Sequence, residues 1–307
     1  MSTANEVEYL REFTNMATIH ESKIDGTEPP HSNDQLAAIL ASLDSFPPFP
    51  ATATQILTQC EKPDVDVQTV VKLIECEPMI GAKVIMLANS PLYGATRPIS
   101  TISHSIVILG FRSVAQMAVA IAAGEVFGQG DPKLAEIRRK TYMHSLACAT
   151  SARMISHKLA LANPDEAFLS GVMHDIGKLV FLEAIPEQYC EILRDAQDGR
   201  TTHLEQTKFG IDHASLGKAC GAKWGLPAQI SLAINDHHLP IEEIEQDLSQ
   251  VVVAANYFAR QWQIGFDESE IGPVSAEIEH LFNPEILSDM QFECQEQFAA
   301  VLEICAI

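Results

Sequence analysis

Apolar residues recur at helical intervals along nearly the whole of this 307-residue chain, and no useful stretch alternates apolar with polar as a half-buried strand would. That period calls for helices, so the expected fold class is all-α. Prolines and glycines set how long each helix can run. Ser32 and Gln35 form a capping box for a helix that buries Leu36, Ile39, Leu40 and Leu43. It must stop before Phe46-Pro-Pro-Phe-Pro50, because each proline removes a donor and restricts its predecessor. Ala51 to Cys60 follows. Asp66 caps a third helix with Val67, Val70, Val71 and Ile74 as its stripe, and Pro78 opens a fourth that reaches Asn89. Asn89, before the turn at Ser90 to Gly94, is placed to satisfy helix-end carbonyls and fix that turn. A brief helix, Ser103 to Leu109, ends at Gly110. From Phe111 to Phe127 apolar residues occupy most faces, which makes this helix central.

Gly128-Gln-Gly-Asp-Pro132 is the best boundary between two units. Beyond it, helices are expected from Lys133 to Leu161, from Asp165 toward His174, at 186–197, 201–209, 212–223 and 227–236, from Leu248 to Gln263, and from Ile286 to Ile304. The chain thus divides into an arm over 1–31 with a short helix from Asn5 to His20, a helical subdomain over 32–128, a second over 129–264, and an acidic helical extension over 265–307.

Composition excludes several classes. A hydrophobic content of 47% is that of a globular protein. No apolar run reaches membrane-spanning length and the first residues are acidic where a leader would be basic, so a soluble, cytoplasmic protein with no membrane partner is expected. The seven cysteines form no C-x-x-C pair and suit a reducing compartment, without a zinc–thiolate cluster. A formal charge of −21 argues against nucleic acid as a partner. From Pro240 onward fourteen acidic residues face Arg260 alone, most of them on solvated helix faces.

The chemistry concentrates in Phe168-Leu-Ser-Gly-Val-Met-His-Asp-Ile-Gly-Lys178. Helices normally finish on small or cationic residues, so adjacent His174 and Asp175 invite another explanation. Imidazole and carboxylate together suit a divalent cation, if a bend at Gly177 turns both inward, and Lys178 could meet an anionic oxygen beside it. The alternative is a helix end with an ordinary surface His and Asp. A catalytic site needs at least three protein ligands, and the other candidates each have a plainer reading. His144 lies mid-helix with Ala147, Cys148 and Ser151 on its face, as a ligand or as a hydrogen-bonded core residue. His213 opens a helix, as a ligand or a polar first-turn residue. His237 and His238 follow an apolar helix and either address one metal and its substrate or cover a helix C-terminus. Histidines 20, 31, 104, 157, 203 and 280 are read as structural or exposed.

From about Asp34 to Gln263 the sequence resembles the bacterial HD-related output domain (HDOD) family. The resemblance rests on Phe46-Pro-Pro-Phe-Pro50, Glu77-Pro-Met-Ile80, Leu87-Ala-Asn-Ser-Pro-Leu-Tyr93, Ile102 with Ser105-Ile-Val-Ile-Leu-Gly110, and the apolar helix that follows. It implies an N-terminal helical subdomain packed on a bundle similar to the HD phosphohydrolases. His144 then stands at the first histidine of those enzymes and His174-Asp175 at the motif that names them. Lys178, His213 before Gly217, and the His237-His238 pair match the HD-GYP phosphodiesterases. Two features depart: Asn256 occupies the place of a late aspartate, and the Gly-Tyr-Pro signature is missing.

The resemblance therefore implies a metal set of His144, His174, Asp175, His213, His237, His238 and Asn256. The cofactor would be a divalent ion (Fe, Mn, Zn, Mg or Ni), with room for two. The neutral Asn256 would weaken binding and alter the acidity of a bound water. Many members of the family look like decayed HD enzymes that act as non-catalytic signalling modules, so the first expectation is a signal-transduction module working through unidentified protein partners. The second is a metal-dependent phosphohydrolase acting on a nucleotide or cyclic dinucleotide. There, metal-activated water would attack the phosphoester, with Asp175 and Lys178 as catalytic residues and Lys178 steadying the leaving phosphate. A purely structural scaffold requires the histidines to be accidental.

Overall fold

The computed structural model describes residues 33–60, 62, 64–90, 97–196, 201–261 and 284–305, and among these every regular element is helical. In chain order they are α1 (Asn33–Ser45), α2 (Ala51–Cys60), α3 (Val67–Glu75), α4 (Pro78–Ala88), α5 (Ile102–Leu109), α6 (Phe111–Gly128), α7 (Ala135–Leu159), α8 (Pro164–Met173), α9 (Ile176–Ala184), α10 (Pro186–Asp195), α11 (Thr201–Phe209), α12 (His213–Lys223), α13 (Ala228–Asp236), α14 (Asp247–Gln261) and α15 (Pro284–Cys305). The expected helix Asn5 to His20, the Ser32 cap and residues 91–94 of the expected turn lie outside the described residues.

Local signals place most ends where the sequence predicts them. Asp66 caps α3 by accepting from the Gln68 amide, and Pro78 opens α4. Asn89 ends α4: its Nδ2 donates to the Ile85 and Ile99 carbonyls at 2.8 Å, and its Oδ1 accepts from the Ile99 amide at 2.8 Å. Two helices start one residue earlier than expected: α5 at Ile102, capped by Thr101, and α8 at Pro164, capped by Asn163.

One connected core runs from Ile39 to Cys305, crossing the expected boundary at Gly128–Pro132 without interruption. Helix α6 is buried on nearly every face, and α7 lies among α8, α14, α15 and α6. No single helix among the described residues is long and apolar enough to cross a membrane, and the apolar pair α5 and α6 is bent by 117°. The two halves are also clamped together. At the end of α12, Lys223 Nζ donates to the carbonyls of Leu43, Asp44 and Phe46 at 2.9, 2.6 and 3.0 Å. Trp224 donates to the Pro47 carbonyl at 3.0 Å and lies against Phe46 and Phe49, with ring centroids 6.1 and 5.2 Å away. The Phe-Pro-Pro-Phe-Pro run thus does more than stop α1; it is the seat for α12.

The bend at the His-Asp stretch does not come from Gly177. His174 and Asp175 make the turn themselves with negative φ, and the chain resumes at once as α9, a helix the sequence reading left out. Gly177 has no positive φ. Its role is clearance: a Cβ there would lie 2.0 Å from the His213 carbonyl oxygen and 2.8 Å from the Gly217 nitrogen. A second crossing of the same kind holds the other side of the turn, where a Cβ on Gly171 would come within 2.5 Å of the Ala149 Cα. These two contacts let α8 lie on α7 and α9 on α12 at backbone distance, which is what brings His144 and His213 to His174-Asp175. Backbone cannot move aside as a side chain can. Gly177→Ala should therefore destabilise the protein by about 3 kcal/mol in urea unfolding, and a loss below about 1 kcal/mol would contradict the crossing.

Candidate metal centre

Four segments meet at Asp175. His144 comes from the middle of α7, His174 and Asp175 from the turn between α8 and α9, His213 from the first residue of α12, and His237-His238 from the end of α13; Asn256 on α14 closes the side beside His144. His174, Asp175, His213, His237 and Asn256 are buried, as are His144 and Lys178. Every residue the sequence put forward for the site is at this one place. Histidines 104, 157 and 203 are exposed.

Geometry decides which nitrogen each imidazole offers. His174 Nδ1 donates to the Gly171 carbonyl at 2.8 Å and His237 Nδ1 to that of Ile234 at 2.6 Å, so in each ring Nε2 is left facing the cluster. His213 Nδ1 lies 2.7 Å from Glu205 Oε2, and its Nε2 lies 3.3 Å from Asp175 Oδ1. Three Nε2 atoms crowd together: His213 to His238 at 3.0 Å and His213 to His237 at 3.3 Å. Asp175 Oδ2 has His174 Nε2 at 3.4 Å and Lys178 Nζ at 3.0 Å. Despite these neighbours, neither Asp175 oxygen accepts a well-directed hydrogen bond, and His174 Nε2 and His144 Nδ1 are likewise unsatisfied.

Such an arrangement fits a cation. Lone pairs that face one another at 3 Å repel unless a proton or a metal lies between them, and buried polar atoms without partners are costly. Among the described residues two groups could hold a metal ion, Asp175 with His213, His237 and His238, and His144 with His174 and Asp175. Imidazoles with one carboxylate suit zinc, iron, nickel or manganese better than magnesium.

The charges reflect the same crowding. Burial acts most strongly and depresses His174, but the Asp175 carboxylate and Cys148 beside it together raise it to about 10. Burial likewise opposes His213, which Glu205 and Asp175 raise to about 9. Burial would raise Asp175, yet His174 and Lys178 hold it well below the usual carboxylate range. His144 and His237 go the other way, to about 3, chiefly through burial and with His174 next in importance for His144. His238 is also depressed by burial and by His237 and His213, with Arg260 adding to it.

Glu205 is the residue that sequence reasoning missed. It is fully buried on α11, accepts from the Tyr189 hydroxyl at 2.7 Å and from the His213 amide at 2.8 Å, and takes the Nδ1 side of His213. The available signal was weak. A lone glutamate in Thr201-Thr-His-Leu-Glu-Gln-Thr207 reads as a solvated helix face, and nothing local shows that α11 turns it inward.

An all-helical bundle with a His/Asp cluster at a helix turn defines a class, and comparison names the family within it. Residues 46–240 match the HDOD domain, and the chain belongs to that family. A curated relative, an uncharacterized protein of Treponema pallidum (strain Nichols), is 25% identical over 207 residues, 66% of this chain. The match spans only 40% of that relative's length. Among solved structures, an HDOD domain protein of unknown function from Geobacter sulfurreducens superposes with a TM-score of 0.73 at 24% identity, covering 88% of this chain and 98% of that one. A provisionally assigned phosphohydrolase from Shewanella amazonensis SB2B gives 0.67 at 22% identity, covering 88% and 97%. A provisionally assigned signal transduction protein from Marinobacter aquaeolei VT8 gives 0.69 at 17% identity, covering 92% and 67%. These likenesses establish the shared fold.

The opposed shifts give the metal-free protein a stability profile of definite sign. His174 and His213 keep their protons in the folded state to about 10 and about 9, against 6.5 unfolded, so their contribution is full below 6.5 and lost as pH rises through those values. His144 and His237, lowered to about 3, contribute above 6.5 and lose that contribution as pH falls toward 3. With a chelator present, the cluster's stability should peak near pH 6.5. In urea unfolding, His213→Gln should flatten the alkaline limb and His237→Gln the acid limb. Variants with wild-type slopes on both limbs would contradict these assignments.

Proposed function

We propose that the protein is a signal-transduction module of the HDOD type that retains a divalent-metal site and acts through contacts with other proteins. The observation that carries the metal site is the fully buried Asp175 carboxylate, ringed by imidazole Nε2 atoms with no hydrogen bond to either oxygen. Support for signalling by contact comes from α12, which begins at His213 in the cluster and ends in the Lys223-Trp224 clamp on the first half of the chain. What happens at the cluster has a short, stiff route to the N-terminal helices. The family membership and the Marinobacter likeness favour the same reading.

A second reading, a phosphohydrolase acting on a nucleotide or cyclic dinucleotide, is favoured by Lys178. Its ammonium is buried beside Asp175 Oδ2 at 3.0 Å, and Arg260 lies close enough to His144 and His238 to lower both. Two cations beside a metal site would bind and orient an anionic oxygen. A divalent ion held there would supply Lewis acidity and a more acidic water. Asn256 counts against this reading, because an amide brings no charge to the site.

Protein purified without a histidine tag should carry a transition metal, and Asp175→Ala should reduce its content at least tenfold in elemental analysis. Unchanged content would refute the ligand assignment. A panel of phosphoesters that includes cyclic dinucleotides and nucleoside monophosphates, assayed with manganese or iron, should give no His174-dependent hydrolysis. Hydrolysis lost in His174→Ala would replace the first reading by the second.

A further inference from the structure

The seven candidate ligands are not equivalent, and their hydrogen bonds divide them. We infer that this chain holds one metal ion, at Asp175, His213, His237 and His238, and that Glu205 is the positioning residue for that site, while the His144 end holds none. The inference rests on the reading of the cluster as a metal site.

At the His144 end the histidine nitrogen set against Asp175 is already spent. His144 Nε2 lies 3.0 Å from Asn256 Oδ1, a carbonyl oxygen that only accepts, so this nitrogen carries its hydrogen toward Asn256 and has no lone pair to give. With the amide turned over, Nε2 would instead accept from the Asn256 NH2, and its lone pair would be used just the same. The nitrogen is also 3.9 Å from Asp175 Oδ2, and that oxygen has the Lys178 ammonium at 3.0 Å. A cation placed here would meet a lysine and would find only His174 and one carboxylate oxygen, short of the three ligands a stable site needs.

The other end is prepared. Asp175 Oδ1 faces His213 Nε2 at 3.3 Å and His237 Nε2 at 3.6 Å. His237 is oriented by a carbonyl, as His174 is, but His213 alone is backed by a carboxylate. Glu205 is held by the Tyr189 hydroxyl at 2.7 Å and the His213 amide at 2.8 Å, so it cannot swing away, and at 2.7 Å from Nδ1 it fixes the tautomer that points Nε2 inward. A carboxylate behind a ligating imidazole also makes that imidazole a stronger donor. Both effects favour the site that contains His213.

Metal-free protein should be titrated with Zn2+ against a chromophoric chelator, with bound metal counted by elemental analysis after dialysis. Wild type should take up one equivalent. His144→Ala should keep that equivalent with nearly unchanged affinity, and His213→Ala should lose it. Glu205→Gln should keep the stoichiometry and bind about 10- to 100-fold more weakly. Loaded with Co2+, Glu205→Gln should show a shifted visible spectrum and His144→Ala the wild-type one, a difference that a merely structural role for Glu205 would not produce. Two equivalents in wild type, loss of metal in His144→Ala, or unchanged affinity in Glu205→Gln would overturn the inference while leaving the metal site standing. No uptake by wild type would overturn both. Should Glu205→Gln fail to fold, His144→Ala against His237→Ala still decides, because only the second should lose the ion.

Discussion

A carboxylate removed from water must have its charge answered, and at Asp175 the surrounding fold supplies that answer. Burying an ion costs several kcal/mol even after relaxation, so the position is tolerable only if positive charge comes to meet it. In the metal-free state Lys178 and the protons raised onto His174 and His213 do this. The requirement also explains why helices cross so closely around the turn. An imidazole reaches only a few ångströms from its backbone, so α7 and α12 must approach α8 and α9 at glycine distance for His144 and His213 to arrive. Packing and electrostatics are one constraint here.

The same constraint ties the two halves of the chain together. His213 and Lys223 are the first and last residues of one helix, so the cluster cannot shift α12 without disturbing the seat of Phe46, Pro47 and Phe49. The continuous core leaves few ways to absorb such a shift elsewhere.

Much of this was legible in the residues. Helical periodicity, prolines and capping residues located most helices to within a residue or two, because those signals are local. The cluster's members were found through their types and their match to a family pattern, and all of them converge. Three things could not be read. The direction of the turn was assigned to Gly177, since a glycine after a polar pair looks like a hinge; its actual use, clearing the His213 carbonyl, depends on a helix 36 residues away. Glu205 carried no local mark of burial. The division of labour among the histidines depends on which nitrogen meets which partner, and spacing is silent about that.

The central claim is that the buried cluster around Asp175 is a metal site. An anomalous-difference map, collected from crystals of tag-free protein on both sides of the absorption edge of the metal found by fluorescence, tests it directly. The account predicts one peak among Asp175, His213, His237 and His238, present above the edge and absent below it. Ordered water in that position, with no anomalous signal in protein grown with the metal supplied, would contradict it.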